Sequence, residues 1–285
     1  MVKVNINGRE IYYDGYLKAN LDGCKKLVKK DWDMVFAVDG EERSGKSVFA
    51  QQAALYCDST FGLQDIVFNP EDFEKKIDEA TQYKAVVYDE AYGGLNSKQV
   101  LSRVSQILVK KFTEIGRKNL FIFVVLPCFF EMHKYVAIWR SRALFHVYHK
   151  NYERGRFACW SGEDKKFLYI NGKKFYSYAK PKPSFIGSFS SGYTVDRSAY
   201  ENKKEKETAK PDDPTGVSIR NIEVTQQRNA IFYVVSKLYG KSYTKIASDL
   251  NKVLPNDNKL NYEVVQRGGF RFEKEMKTHN YNTQS

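Results

Sequence analysis

From Gly40 to Ser47 the chain reads Gly-Glu-Glu-Arg-Ser-Gly-Lys-Ser, which fits G-x-x-x-x-G-K-[ST] without a mismatch. The residue types at these spacings suit a polyphosphate. Gly40 and Gly45 let the backbone turn until its N–H groups point at phosphate oxygens, with Ser44 inside the turn. A helix starting just after Gly45 adds the positive end of its dipole. Lys46 is long enough to reach the β- and γ-phosphates, and the Ser47 hydroxyl suits magnesium. Glu41 and Glu42 would repel such a ligand, so they are expected to point outward.

The second feature that could do chemistry is Asp89-Glu90, directly after Ala85-Val-Val-Tyr88. An acid at the tip of an apolar parallel strand, beside the strand that carries the glycine loop, can hold magnesium directly or through water. That role falls to Asp89. Glu90 is then placed to orient or deprotonate an attacking water. Together the two motifs predict binding and hydrolysis of a nucleoside triphosphate with Mg2+.

Hydrophobic patterning supplies the elements that must position these residues. Val2 to Tyr13 alternates around Asn7-Gly8, a hairpin signal. Tyr16 to Lys30 reads as a helix with Leu17, Leu21, Cys24 and Val28 on one face. Met34 to Val38, Ile66 to Phe68, Ala85 to Tyr88 and Leu120 to Leu126 read as buried strands. Helices are expected over Val48 to Tyr56, from Asn69 or Glu71 through Ile77, and over Lys98 to Ile115. The last carries Val100, Val104, Ile107, Leu108 and Phe112 along one side. This alternation predicts an α/β fold, a mostly parallel sheet with helices on both faces. A β-rich extension follows from Ala143 to Ile186, with a further hairpin expected at Asn171-Gly172. The resulting division is a first domain over 1–186, a charged linker over 187–217 and a helical module over 218–285. The Lys203 to Lys206 cluster is expected to be a solvated face of the linker.

Composition bounds the partners. The 285 residues carry a formal net charge of +12, which suits a polyanion. Cys24, Cys57, Cys128 and Cys159 include no C-x-x-C pair, so a reducing compartment fits better than disulfides or zinc. His133, His146, His149 and His279 lack metal spacing and are assigned no chemistry. No targeting leader is read at the start and no apolar run is long enough to span a membrane. The expectation is a cytoplasmic protein.

Gly40–Ser47 together with Asp89-Glu90 resembles the additional-strand, catalytic-glutamate division of P-loop ATPases. Within that division, the run Asp89-Glu-Ala-Tyr, a long helix, the apolar strand to Leu126 and Trp139-Arg-Ser-Arg142 is similar to viral DNA-packaging and Zot-like proteins of the HerA/FtsK translocase type. The resemblance covers about 33–150. It implies ATP as the nucleotide, a homo-oligomeric ring that threads DNA in the host cytoplasm, and a portal or capsid component as a docking partner. It also implies an arginine inserted from a neighbouring subunit. Arg140 and Arg142 are the candidates, with Arg117 behind them. Such motors carry a polar sensor at the end of the strand after the acid pair. Here that strand ends Val125-Leu126-Pro127.

In the last module, Ile219 to Gly240 carries Ile222, Ile231, Val234, Val235 and Leu238 and reads as a helix ended by Gly240. Ser242 suits the cap of a second helix, with Ile246, Ala247 and Leu250 inward. A third, over Asn261 to Arg267, is expected to be broken by Gly268-Gly269, or a wing to start there. This order looks like a helix-turn-helix or winged-helix unit, with Tyr262, Gln266 and Arg267 reading DNA. Eleven Lys or Arg stand against six Asp or Glu from Ser218 onward, a sign that fits DNA. A packing or oligomerisation module is the plain alternative. For the whole chain the leading expectation is a DNA motor. An ATP-dependent replication initiator or loader, a nucleotide or small-molecule kinase, and an ATP-binding switch are the alternatives. A basic second module and the lack of an arginine-rich lid speak against the kinase.

Overall fold

A computed structural model describes residues 2–6, 8–89, 97–151, 153–208, 219–254 and 259–278. The chain divides into two compact units, Met1–Pro211 and Asp212–Ser285.

The first unit is built on a seven-stranded, mostly parallel sheet flanked by helices. A separate antiparallel hairpin, β1 (Val2–Ile6) and β2 (Arg9–Tyr13), opens the chain. α1 (Gly15–Val28) follows, its first N–H groups capped by the Asp14 carboxylate. Then come β3 (Met34–Gly40), α2 (Lys46–Cys57), β4 (Ile66–Val67), α3 (Pro70–Glu79) and β5 (Ala85–Asp89). Asn69 caps α3, and Pro70 sits in its first turn, where a missing N–H costs nothing. α4 (Ser97–Lys110) and α5 (Phe112–Lys118) replace the single helix expected over Lys98 to Ile115. The interruption is one residue wide, at Lys111, where ψ relaxes to 10°. β6 (Phe121–Val125), β7 (Ala143–Lys150), β8 (Glu153–Ser161), α6 (Gly162–Phe167) and β9 (Phe185–Ser188) complete the sheet and its cover.

The strand order is β4-β5-β6-β3-β7-β8-β9. β4 through β7 pair in parallel, and β8 and β9 are antiparallel additions. Successive side chains of β3 point to opposite faces, so both faces must be covered. Met34, Phe36 and Val38 enter a core shared with α1 and α2, whereas Val35 and Ala37 enter a second core with Phe73, Val104 and Leu108. That is why β3, β5 and β6 read as unbroken apolar runs rather than as alternating ones.

The hairpin expected at Asn171-Gly172 is instead helical: α6 continues into a π-helical turn, Leu168–Gly172. Lys165, Leu168, Tyr169 and Gly172 are the buried positions, spaced at a helical period. A lysine at the first of them hides that period in the sequence. Gly172 serves close packing, because a Cβ there would lie 2.8 Å from the Phe130 ring and 2.5 Å from the Ser177 carbonyl oxygen.

Residues 187–208, expected to be linker, belong to the first unit. Phe189 is buried against Phe49, and Gln52 donates to the carbonyls of Ser190 and Gly192 at 2.8 Å each. α7 (Arg197–Thr208) ends this wrap. Its lysine-rich composition is compatible with docking, because Lys203 Nζ donates to the Leu63 and Ile66 carbonyl oxygens at 3.1 and 2.6 Å.

The second unit holds α8 (Ile219–Leu238), α9 (Tyr243–Asn251) and α10 (Tyr262–Thr278). Ser242 caps α9 as expected, accepting from Lys245 N. One expectation fails here. α10 runs through Gly268-Gly269 without a break. A Cβ on Gly268 would lie 2.5 Å from Asn229 Oδ1, and one on Gly269 would lie 2.5 Å from the Tyr243 ring, so the glycines let helices approach closely. On α8, Phe232, Val235 and Asn229 face inward, while Ile231 and Leu238 are exposed. Among the described residues no helix is long and apolar enough to cross a membrane.

Candidate functional site

Strand register brings the two motifs to the same end of the sheet. Val38 on β3 and Asp89 on β5 both pair with Val125 of β6, so Asp89 stands level with the residue two positions before Gly40. β6 lies between the strand that carries the loop and the strand that carries the acid. The expectation that Asp89 ends the strand next to the loop is corrected: it ends the next strand but one.

The loop's glycines are there for steric reasons. Gly40 has φ +136°, and a Cβ would sit 1.9 Å from the Val147 carbonyl oxygen on β7. Gly45 has φ +103° and lies under the Phe189 ring. Any side chain at either position would be strained. α2 starts at Lys46 with no side-chain cap, so its first N–H groups are left for an anion. Ser44 is fully buried, and its Oγ lacks a hydrogen-bond partner. An orphaned hydroxyl inside the loop is a polar group that a phosphate oxygen would satisfy. Glu41 and Glu42 are exposed, as their charge requires.

Lys46 folds back on the loop, donating to the carbonyl oxygens of Gly40 (2.7 Å) and Glu41 (2.8 Å). Burial lowers the proton affinity of its ammonium, against the opposing pull of Asp39 and Asp89. Ser47 Oγ donates to Asp89 Oδ1 at 3.1 Å. Asp89 is 1 % exposed and also accepts a hydrogen bond from the Tyr200 hydroxyl of α7. Lys204, one turn further along α7, places its Nζ 3.9 Å from Asp89 Oδ1. Burial, and then the Asp89 charge, raises the Tyr200 hydroxyl well above the usual tyrosine range. Glu90 lies outside the described residues.

A second buried acid flanks the loop. Asp39, the residue before Gly40, is fully buried. It accepts from Phe129 N (2.8 Å) and from the Tyr178 hydroxyl, and it lies 2.9 Å from His146 Nδ1. The His146 ring stacks on Tyr178 with centroids 4.0 Å apart. His146, assigned no chemistry from the sequence, thus belongs to the polar network that ties β7 to the root of the loop. Tyr178, Tyr200 and Lys204 carry no motif, and only the tertiary fold brings them to the site.

The arginines are not gathered here. Arg142 N bonds to the Val35 carbonyl oxygen, level with the opposite end of β3 and about 16 Å from Gly40 along an extended strand. Its guanidinium lies over the Trp32 ring at 5.1 Å. Arg140 is half-buried, with its side chain largely covered and paired with Asp33, which just precedes β3. Arg117 is exposed near the end of α5, which leads into the start of β6. The Arg140 guanidinium is held by Asp33 within its own unit. Arg140 and Arg142 line a cavity of about 840 Å³ with Trp32, Trp139 and Lys165, away from the loop.

In the second unit Tyr262 and Arg267 are exposed on α10 and Gln266 is half-buried, while Val265 faces the small core. Arg267 Nη2 lies 3.4 Å from Glu263.

No protein-family model matches this chain, and no curated protein matches it.

The residues present fit a magnesium nucleotide: backbone donors, a lysine, a hydroxyl already facing a carboxylate, and an orphaned Ser44 hydroxyl in the loop.

Proposed function

We propose that the first unit is an ATP-hydrolysing P-loop domain of the additional-strand division, and that the whole chain is a ring-forming DNA motor of the genome-packaging kind. The single observation that carries the enzymatic reading is the Ser47–Asp89 contact at the foot of a glycine loop, with β6 interposed between the two strands. Ser47 and Asp89 would hold Mg2+, whose charge offsets that of the phosphates when it is bound. Lys46 would leave the Gly40 and Glu41 carbonyls to reach the phosphates. Glu90, next after the buried Asp89, would take a proton from the attacking water.

The motor reading rests on the basic balance of the chain and on a second unit that presents Tyr262 and Arg267 outward. Duplex DNA is the proposed partner, and a portal or capsid component the proposed dock. A replication initiator or loader is the second reading, favoured by the three-helix form of the second unit. It differs in requiring a preferred DNA sequence.

The test is steady-state ATP hydrolysis by the wild type and Glu90→Gln, without DNA, with single strands and with long duplex. Several-fold stimulation by duplex that vanishes in Glu90→Gln supports the motor. Brisk turnover indifferent to any DNA sinks it. Binding confined to one duplex sequence, with slow turnover, moves the reading to an initiator.

A further inference from the structure

α7 reaches the acid of the candidate site from a segment whose composition reads as linker. Three anchors fix it there. Tyr200 is 3 % exposed, with its ring against Phe68 and Tyr193 at 5.7 and 5.3 Å. Lys203 binds the Leu63 and Ile66 carbonyls, and Asn69 Nδ2 donates to Glu207 at 2.7 Å. The Asp196 carboxylate caps the helix start through Ala199 N. So Tyr200 and Lys204, on one face at i and i+4, are held over the end of β5.

Their chemistry is specific. Asp89 Oδ1 faces both the Ser47 hydroxyl and the Lys204 ammonium, while Asp89 Oδ2 accepts from Tyr200. Lys204 thus brings an ammonium to the same carboxylate oxygen that the Ser47 hydroxyl of the loop helix faces. The sequence-selected arginines stand at the other end of the sheet.

We propose that Lys204 is a phosphate-binding residue of the same subunit, contacting the terminal phosphate of a bound nucleoside triphosphate, and that Tyr200 is the positioning residue that holds Asp89 toward Ser47. The inference rests on the nucleotide-site reading above. It gives that site a second lysine, placed by α7, in addition to the loop lysine.

The experiment is fluorescence titration of the full chain with mant-ATP and mant-ADP, with magnesium or with EDTA. The variants are Lys46→Ala, Lys204→Ala, Lys204→Arg and Tyr200→Phe. Loss of a charge-assisted phosphate contact should weaken mant-ATP binding to Lys204→Ala by about tenfold to a hundredfold, with mant-ADP little changed. Lys204→Arg should restore most of it. Tyr200→Phe should reduce the gain in affinity that magnesium gives. Amide exchange across α7 should slow when the non-hydrolysable β,γ-imido-ATP is added with magnesium, and less so with ADP. Lys204→Ala binding both nucleotides like the wild type, with α7 exchange unmoved, overturns the inference alone. Wild type that binds neither nucleotide, or Lys46→Ala that binds both unchanged, overturns the nucleotide-site reading and this inference with it.

Discussion

Ser47 Oγ donates to Asp89 Oδ1 across 3.1 Å, although 42 residues and the whole of β6 separate the strands that lead to them. The contact joins a hydroxyl in the first turn of α2 to a buried carboxylate. Ser47→Ala leaves Asp89 with Tyr200 as a hydrogen-bond donor, so the fold should survive. Magnesium-dependent nucleotide affinity should fall by about tenfold or more, while binding in EDTA stays near wild type. Isothermal titration in both buffers checks this. Equal loss in both would show that Ser47 supports the loop and not a metal.

Gly40 and Gly23 make a controlled pair. Gly40→Ala places a methyl group 1.9 Å from the Val147 carbonyl oxygen at φ +136°, whereas Gly23 in α1 has open space around it. Gly40→Ala should cost about 1–3 kcal/mol or more through strain. Gly23→Ala should add about 0.5–1 kcal/mol through helix propensity. Urea unfolding of both variants measures the contrast, and similar midpoints would contradict it.

Arg140 and Asp33 form a largely buried ion pair. Removing one partner leaves the other charge uncompensated, so Arg140→Ala should destabilise by about 3–5 kcal/mol. Asp33→Asn should do so in the same direction, and the double variant should cost less than the sum. A thermodynamic cycle from denaturant melts reads the coupling. Arg140→Ala with unchanged stability and lost ATP turnover would return this arginine to catalysis.

Lys165 is buried and donates to the carbonyls of Ala137, Ile138 and Ser141 and to Ser141 Oγ. Burial, with Lys166 and Arg142 nearby, pushes its ammonium down to about 7. Between pH 7 and the ordinary lysine range the unfolded chain therefore holds a proton that the folded chain lacks. Stability from this group rises with pH through that window. The Tm of the wild type relative to that of Lys165→Met should rise from pH 7 to pH 9. A difference independent of pH would mean the ammonium stays charged in the fold.

Gly268 tests the helix packing of the second unit. If the glycine ended α10, alanine would lengthen the helix and stabilise it. With Asn229 Oδ1 2.5 Å from the added Cβ, Gly268→Ala should instead destabilise by about 1–3 kcal/mol. Faster amide exchange over α8 and α10 is the expected readout, and slower exchange would refute the packing account.

The local signals were legible where chemistry and backbone conformation coincide. The glycine loop, the strands on either side of it, the Ser242 cap and the acid after Tyr88 all follow from residue type and spacing, because each depends on neighbours within a few positions. Tertiary structure alone decided what long-range packing controls. It set β6 between β3 and β5 and turned Asn171-Gly172 into helix by burying Leu168 and Tyr169. It carried α10 through two glycines to admit Asn229 and Tyr243. It also drew Tyr200 and Lys204 to Asp89 from a stretch whose charge reads as solvated linker, since a lysine that meets a carbonyl or a carboxylate in the fold looks the same in sequence as one that meets water.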